Sequence, residues 1–198
     1  MTQLFFNHQL GGRLLPLQER ALREAFLMLY AFAGAKKEDH FIFTSSGAEA
    51  VNHAVFAAYL DITRKTGKNH FLCSILDEAP TIMSMNRLNE LGCVFQMIPS
   101  INEGRVTVKD VAEMITPRTA LLSISWANGL TGVIQPLTEI SALCKDRGIL
   151  FHVDATHTLG KGDFSFQESG ADLLTFNGPS GGMGGLFIRS GIEISPTY

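Results

Sequence analysis

Asp154 closes the run Ile149, Leu150, Phe151, His152, Val153 inside the stretch RGILFHVDATHTLG. Four apolar positions in that run predict a short buried strand, which leaves a carboxylate at its tip. A buried carboxylate is costly unless a cation or several donors meet it. In open α/β sheets ligands collect outside the carboxyl ends of the strands, so Asp154 is a candidate partner for a cationic ligand; the alternative is an Asp that caps the next turn. A second candidate is FTSSGAEAVNHAV, where two serines end a short strand and Gly47 opens a helix from about Ala48 to Thr66. Free backbone N–H groups at such a helix start can hold a phosphate, although a serine there also serves as an ordinary cap.

The surrounding chain alternates helix and strand patterns. Residues 14 to 33 carry apolar side chains at helical spacing, with Gly34 as a stop, and the apolar second half (Phe26, Leu27, Met28, Leu29, Tyr30, Phe32) predicts a helix covered on most sides. AKKEDH then reads as a solvated charged loop and HFIFTSS as a strand. Further on, NHFLCSIL, CVFQMIPS, TALLSIS, ADLLTF and LFIRS read as strands. Helices are predicted from about Pro80 to Leu91, across VTVKDVAEMI, and from Pro136 to Arg147. This alternation predicts an α/β fold of three layers, α/β/α, around a mainly parallel sheet covered on both faces.

Composition narrows the partners. With 45% hydrophobic and 18% charged residues and a net charge of -3, the chain resembles an ordinary globular protein and has no basic run to bind nucleic acid or an anionic membrane. No segment reaches the ~18 uninterrupted apolar residues of a membrane span, and the expected location is the cytoplasm. Cys73, Cys93 and Cys144 show neither metal-ligand spacing nor an even disulfide set, which predicts buried reduced thiols.

Taken together, FTSSGAEAVNHAV, SWANGLTGVIQPL, GILFHVDATHTLGK and ADLLTFNG followed by GGLFIR occur in the order and rough spacing of the large domain of NifS-like cysteine desulfurases. These are class V, fold-type I enzymes that use pyridoxal phosphate (PLP), and the resemblance runs from about His8 to Arg189. It implies a PLP-transferase-like large domain spanning residues 1–198, with the N-terminal cofactor-side segment of the family reduced to MTQLFFNHQ and its small domain, which carries the sulfur-accepting cysteine, not included. It also implies a homodimer, or a heterodimer with a related PLP enzyme.

Residue by residue, the resemblance gives Asp154 the protonated pyridine nitrogen. It gives Gly47 and Ala48 the cofactor phosphate, with Ala48 replacing a threonine of the family. His157 stands for a glutamine that contacts the ring hydroxyl. Asn128 matches an asparagine of the family, Gly129 replaces the next one, and Ala79 replaces a ring-stacking histidine. After ADLLTF the family has serine, glycine, histidine and the Schiff-base lysine; here these are Asn177, Gly178, Pro179 and Ser180. Lys161 matches a structural lysine. A hydroxyl at 180 neither tethers PLP nor takes a Cα proton as an amine does. The expectation is therefore a desulfurase-like or class V aminotransferase-like protein that is catalytically impaired, with a non-enzymatic scaffold or dimerisation partner of a full-length PLP enzyme as the alternative.

Overall fold

A computed structural model describes residues 16–100, 104–162, 164–178 and 182–195. Ser180, expected at the lysine position, lies outside the described residues. The elements in chain order are α1 (Pro16–Ala33), β1 (His40–Thr44), α2 (Gly47–Ala58), α3 (Arg64–Thr66), β2 (His70–Ser74), α4 (Ala79–Arg87), β3 (Val94–Ile98), α5 (Val108–Met114), β4 (Thr119–Ser125), α6 (Leu137–Arg147), β5 (Leu150–Asp154), α7 (Phe166–Ser169), β6 (Leu173–Asn177) and β7 (Gly184–Ile188).

The seven strands form one sheet in the order β1-β7-β6-β5-β4-β2-β3. Neighbours from β3 to β6 run parallel, while β7 is antiparallel to both β6 and β1. Strands β2 and β4 are buried along their whole length, as near-continuous apolar runs covered on both faces require. On one face β4, β5 and β6 pack Leu122, Phe151 and Leu174 against Val111 of α5, Ile140 and Cys144 of α6 and Phe166 of α7. On the other, Phe71, Cys73 and Leu121 meet Val51 and Val55 of α2 and Met85 of α4. The three-layer α/β/α expectation is thus met.

The segment that delivers Asp154 is short. α6 ends on Gly148, whose φ of 59° lets the Ile149 amide donate back to the Cys144 carbonyl at 2.9 Å. The chain then turns directly into β5, which pairs Ser125 with Asp154 in register. Both partners end their strands at the same edge of the sheet.

Local expectations differ from the structure in five places. The helix beginning at Gly47 is interrupted by a wider turn over Tyr59–Thr63 before α3, and the one after Pro80 tightens over Leu88–Leu91. The AKKEDH loop is not fully solvated: Asp39 is buried, because its carboxylate accepts from the Lys36 and Ser190 amides and from Gln167 Nε2. α1 is not covered on most sides. Ala33, Leu29 and Tyr30 pack into the core while Leu27, Met28 and Phe32 stay exposed. Finally, α7 carries no long apolar period; its Ser165 hydroxyl accepts from the Glu168 amide and its start is fixed by that cap.

Candidate cofactor site

The carboxyl ends of β5 and β6 and the first turn of α2 enclose a cleft of about 210 Å³, lined by Ser46, Gly47, Ala48, Val51, Glu78, Pro80, Asp154, Thr156, His157 and Asn177. Asp154 is 4% exposed. Its Oδ1 accepts from the Thr156 amide at 3.0 Å and the Thr156 hydroxyl at 2.7 Å, with the Thr175 hydroxyl at 3.4 Å. Among the described residues no donor reaches Oδ2. Burial raises the Asp154 carboxyl above its ordinary value against the lowering effect of the Thr156 donors, and the Glu78 charge raises it further. One oxygen satisfied and one uncommitted is what a ligand-facing carboxylate requires.

At the other end, Ser46 caps α2 by accepting from the Glu49 amide at 3.2 Å. The Gly47 amide donates to Asn177 Oδ1 at 3.1 Å, and the Ala48 amide meets no protein acceptor among the described residues. A side chain at Gly47 would crowd the cleft wall. A Cβ would lie 3.2 Å from Thr156 Oγ1, 3.2 Å from Asn177 Cβ and 3.3 Å from the Phe176 carbonyl. The helix start therefore butts directly against the ends of β5 and β6, with its amide dipoles directed to the cleft.

His157 is held by Glu78, Nε2 to Oε1 at 2.9 Å, and both side chains are about a third exposed at 34%. Its ring fills the space above Gly129: a Cβ at 129 would sit 2.7 Å from His157 Nε2. The replacements at 129 and 157 are thus a matched pair, a lost side chain making room for an imidazole.

The structure gathers Gly47, Ala48, Asp154, His157 and Asn177 in one cleft, as expected from the sequence. Asn128 lines the neighbouring cleft with Trp126, Ile134 and Lys161 instead. Its amide is already spent, donating to the Leu76 carbonyl of the loop after β2 at 2.9 Å and accepting from the Leu130 and Thr131 amides of its own turn at 3.0 and 2.9 Å. Sequence reasoning missed Thr156, Glu78 as the partner of His157, and Asp77. Asp77 stands just beyond β2 as Asp154 ends β5, so an acid at a second strand end was the signal for it.

These residues fit a phosphorylated pyridine. The uncommitted Asp154 oxygen suits a protonated ring nitrogen, and the free Ala48 amide with the α2 dipole suits a phosphate. Among the described residues lining the cleft there is no lysine or arginine. The three cysteines are buried, and burial raises each thiol, Cys144 to about 12. Among the described residues no group of His, Cys, Asp and Glu could hold a metal ion and no helix is long and apolar enough to cross a membrane.

Comparison with known proteins agrees with this geometry. The chain is 36% identical over 166 residues to cysteine desulfurase IscS of Clostridium botulinum (strain Hall), covering 81% of this chain and 41% of that protein. It is 30% identical over 204 residues to cysteine desulfurase 2 of Trichormus variabilis, covering 99% and 49%. Among solved structures, a NifS-like protein superposes with a TM-score of 0.82 at 25% identity, over 91% of this chain and 50% of that one. DndA from Streptomyces lividans gives 0.80 at 25% identity, over 96% and 56%. The chain spans about half the length of the curated relatives it matches. The profile of the family described as aminotransferase class-V matches residues 18–190, and the chain belongs to that family of PLP-dependent enzymes.

Proposed function

We propose that this chain is a cysteine desulfurase-like large domain that binds PLP without a covalent tether and is catalytically impaired. One observation carries this: the cleft keeps its pyridine-facing acid, Asp154, while the chain has Ser180 at the lysine position and no lysine at all after Lys161. PLP, when bound, supplies an electron sink for chemistry at the Cα of an amino acid.

Around it, Asp154 would hold the ring nitrogen protonated through Oδ2, with Thr156 fixing Oδ1. The Ala48 amide and the start of α2 would take the phosphate. His157, oriented by Glu78, would meet an edge of the ring. Among the described residues lining the cleft there is no amine to take the lysine's part at Cα, and a serine hydroxyl is a poor base at neutral pH. The chain also lacks a sulfur acceptor among its cysteines, since a raised thiol in an apolar interior is a weak nucleophile.

Absorbance titration of the purified chain with PLP, followed by borohydride reduction and peptide mapping, tests this. Binding without any pyridoxyl-lysine peptide is expected; a single pyridoxyl-lysine peptide would overturn the impairment, and no binding would overturn the cofactor assignment. Ser180→Lys alone is expected to restore neither full binding nor cysteine turnover, because Ala79 and Gly129 remain. Recovered turnover in a sulfide or alanine assay would contradict this.

A second reading, a non-enzymatic dimerisation partner of a PLP enzyme, is favoured by Leu27, Met28 and Phe32 on α1 and Phe43 on β1, all more than half exposed at 66%, 72%, 56% and 52%. Light scattering that found a monomer without affinity for a hydrophobic dye would remove its support.

A further inference from the structure

Asp77 lines neither cleft, yet its carboxylate is 7% exposed and fully engaged. Oδ2 accepts from the Ser74 amide at 2.7 Å, three residues back, which any Asp in a turn after a strand can do. Oδ1 accepts from the Ser125 amide, also at 2.7 Å, and that bond joins two strands. It ties the end of β2 to the end of β4 at the residue in register with Asp154.

Three more bonds spread from this point. The Trp126 amide donates to the Asp154 carbonyl at 2.8 Å, Asn128 Nδ2 donates to the Leu76 carbonyl at 2.9 Å, and Glu78 holds His157. Asp77 thus sits at the junction of the three loops that follow β2, β4 and β5.

We propose that Asp77 is a positioning residue of the cofactor cleft, whose carboxylate pins the β2 and β4 ends and sets the placement of Asp154 beside them. The proposal rests on the reading that the cleft takes a phosphorylated pyridine. The charged and titratable groups around Asp77 are Asp154 from β5 and Cys73 from β2, while Glu78 and His157 act on Asp154 in turn. Burial first, and then the Asp154 charge, hold the Asp77 carboxyl up at about 7. Asp154 is thus already anionic when Asp77 loses its proton, and the charge at position 77 changes around pH 7 beside an ionised Asp154.

Pyridoxine 5′-phosphate, which has the ring nitrogen and phosphate but no aldehyde, is the probe; its affinity is measured across pH for the unsubstituted chain and for Asp77→Asn. The substitution should weaken binding roughly tenfold at its optimum, the low end of what loss of an outer supporting group costs a bound centre. The affinity of the unsubstituted chain should also rise as pH climbs through about 7, because a cation on Asp154 favours the ionised Asp77 carboxylate, and Asp77→Asn should lack that rise. A rise through pH 7 that survives unchanged in Asp77→Asn overturns the proposal, since a purely structural Asp77 would weaken binding equally at every pH. No binding by the unsubstituted chain overturns the cofactor reading and the proposal with it. If Asp77→Asn does not fold, NMR of isotope-labelled aspartate carboxyls in the unsubstituted chain decides: two mutually coupled signals must move when the probe is added, and movement of only one overturns the proposal.

Discussion

Two positions on β5, one residue apart from being neighbours, handle burial in opposite ways. His152 is fully buried and closed: Nδ1 pairs with the Ser123 hydroxyl at 2.7 Å and Nε2 with the Thr175 hydroxyl at 2.9 Å. Asp154 is almost as buried, yet only Oδ1 is engaged. The middle of the strand completes its hydrogen bonds within the sheet and the end of the strand does not. The opposite edge resembles the middle, with His70 Nδ1 on the Thr119 hydroxyl at 2.8 Å and Nε2 on Gln96 Oε1 at 3.0 Å. Polar groups that satisfy each other stabilise and specify the fold, and a buried oxygen left over marks where a ligand belongs.

Breaking the closed position should have the largest effect. His152→Ala strands two buried hydroxyls and opens a cavity, so the chain should lose about 3 kcal/mol of stability in a urea or thermal melt. The pH dependence sharpens the point. Burial pushes His152 down to about 3 from 6.5, so its contribution is complete above pH 6.5 and is lost as pH falls toward 3. The variant should lack that part of the acid loss.

Opening the other position should have the reverse signature. Asp154→Asn should weaken binding of pyridoxine 5′-phosphate by roughly 10–100-fold, the loss of one charge-assisted hydrogen bond. Its stability at neutral pH should hold or rise. An acid raised by burial contributes stability that is complete below its ordinary 3.8 and lost as pH climbs through the folded value, so removing it relieves the neutral state. A melt and a titration on the same sample check both halves. The smallest effect belongs to the partly exposed His157. Gly129→Ala should push the ring off Glu78, change stability by about 0.5 kcal/mol or less, and alter ligand affinity several-fold by titration.

The sequence made the strand ends legible and left the loops between them obscure. β5 could be read because an apolar run ends abruptly in an acid, and the α2 start because serines and a glycine stand before a helical period. Asp39 could not, since its partners Ser190 and Gln167 are remote in sequence and a charged loop residue has no period to betray its burial, and Asp77 showed only as an acid at a second strand end, with its partner Ser125 equally remote. Asn128 was placed at the ligand because its motif matched. The fold spends its amide on holding Leu76 and its own turn. A motif reports which residue stands at a position, whereas its hydrogen-bond partners decide what remains free to bind.

Gly184 begins the antiparallel β7, and a Cβ there would collide with the Ser46 carbonyl group at the mouth of α2. The helix tip and that strand therefore interlock backbone to backbone, although they lie far apart in the chain. The turn at Gly47 is thereby shaped by a strand remote from it in sequence, and the cleft depends on that strand being seated. Ligand uptake would accordingly serve as a chemical readout of that strand being in place, and added ligand would raise the melting temperature by mass action.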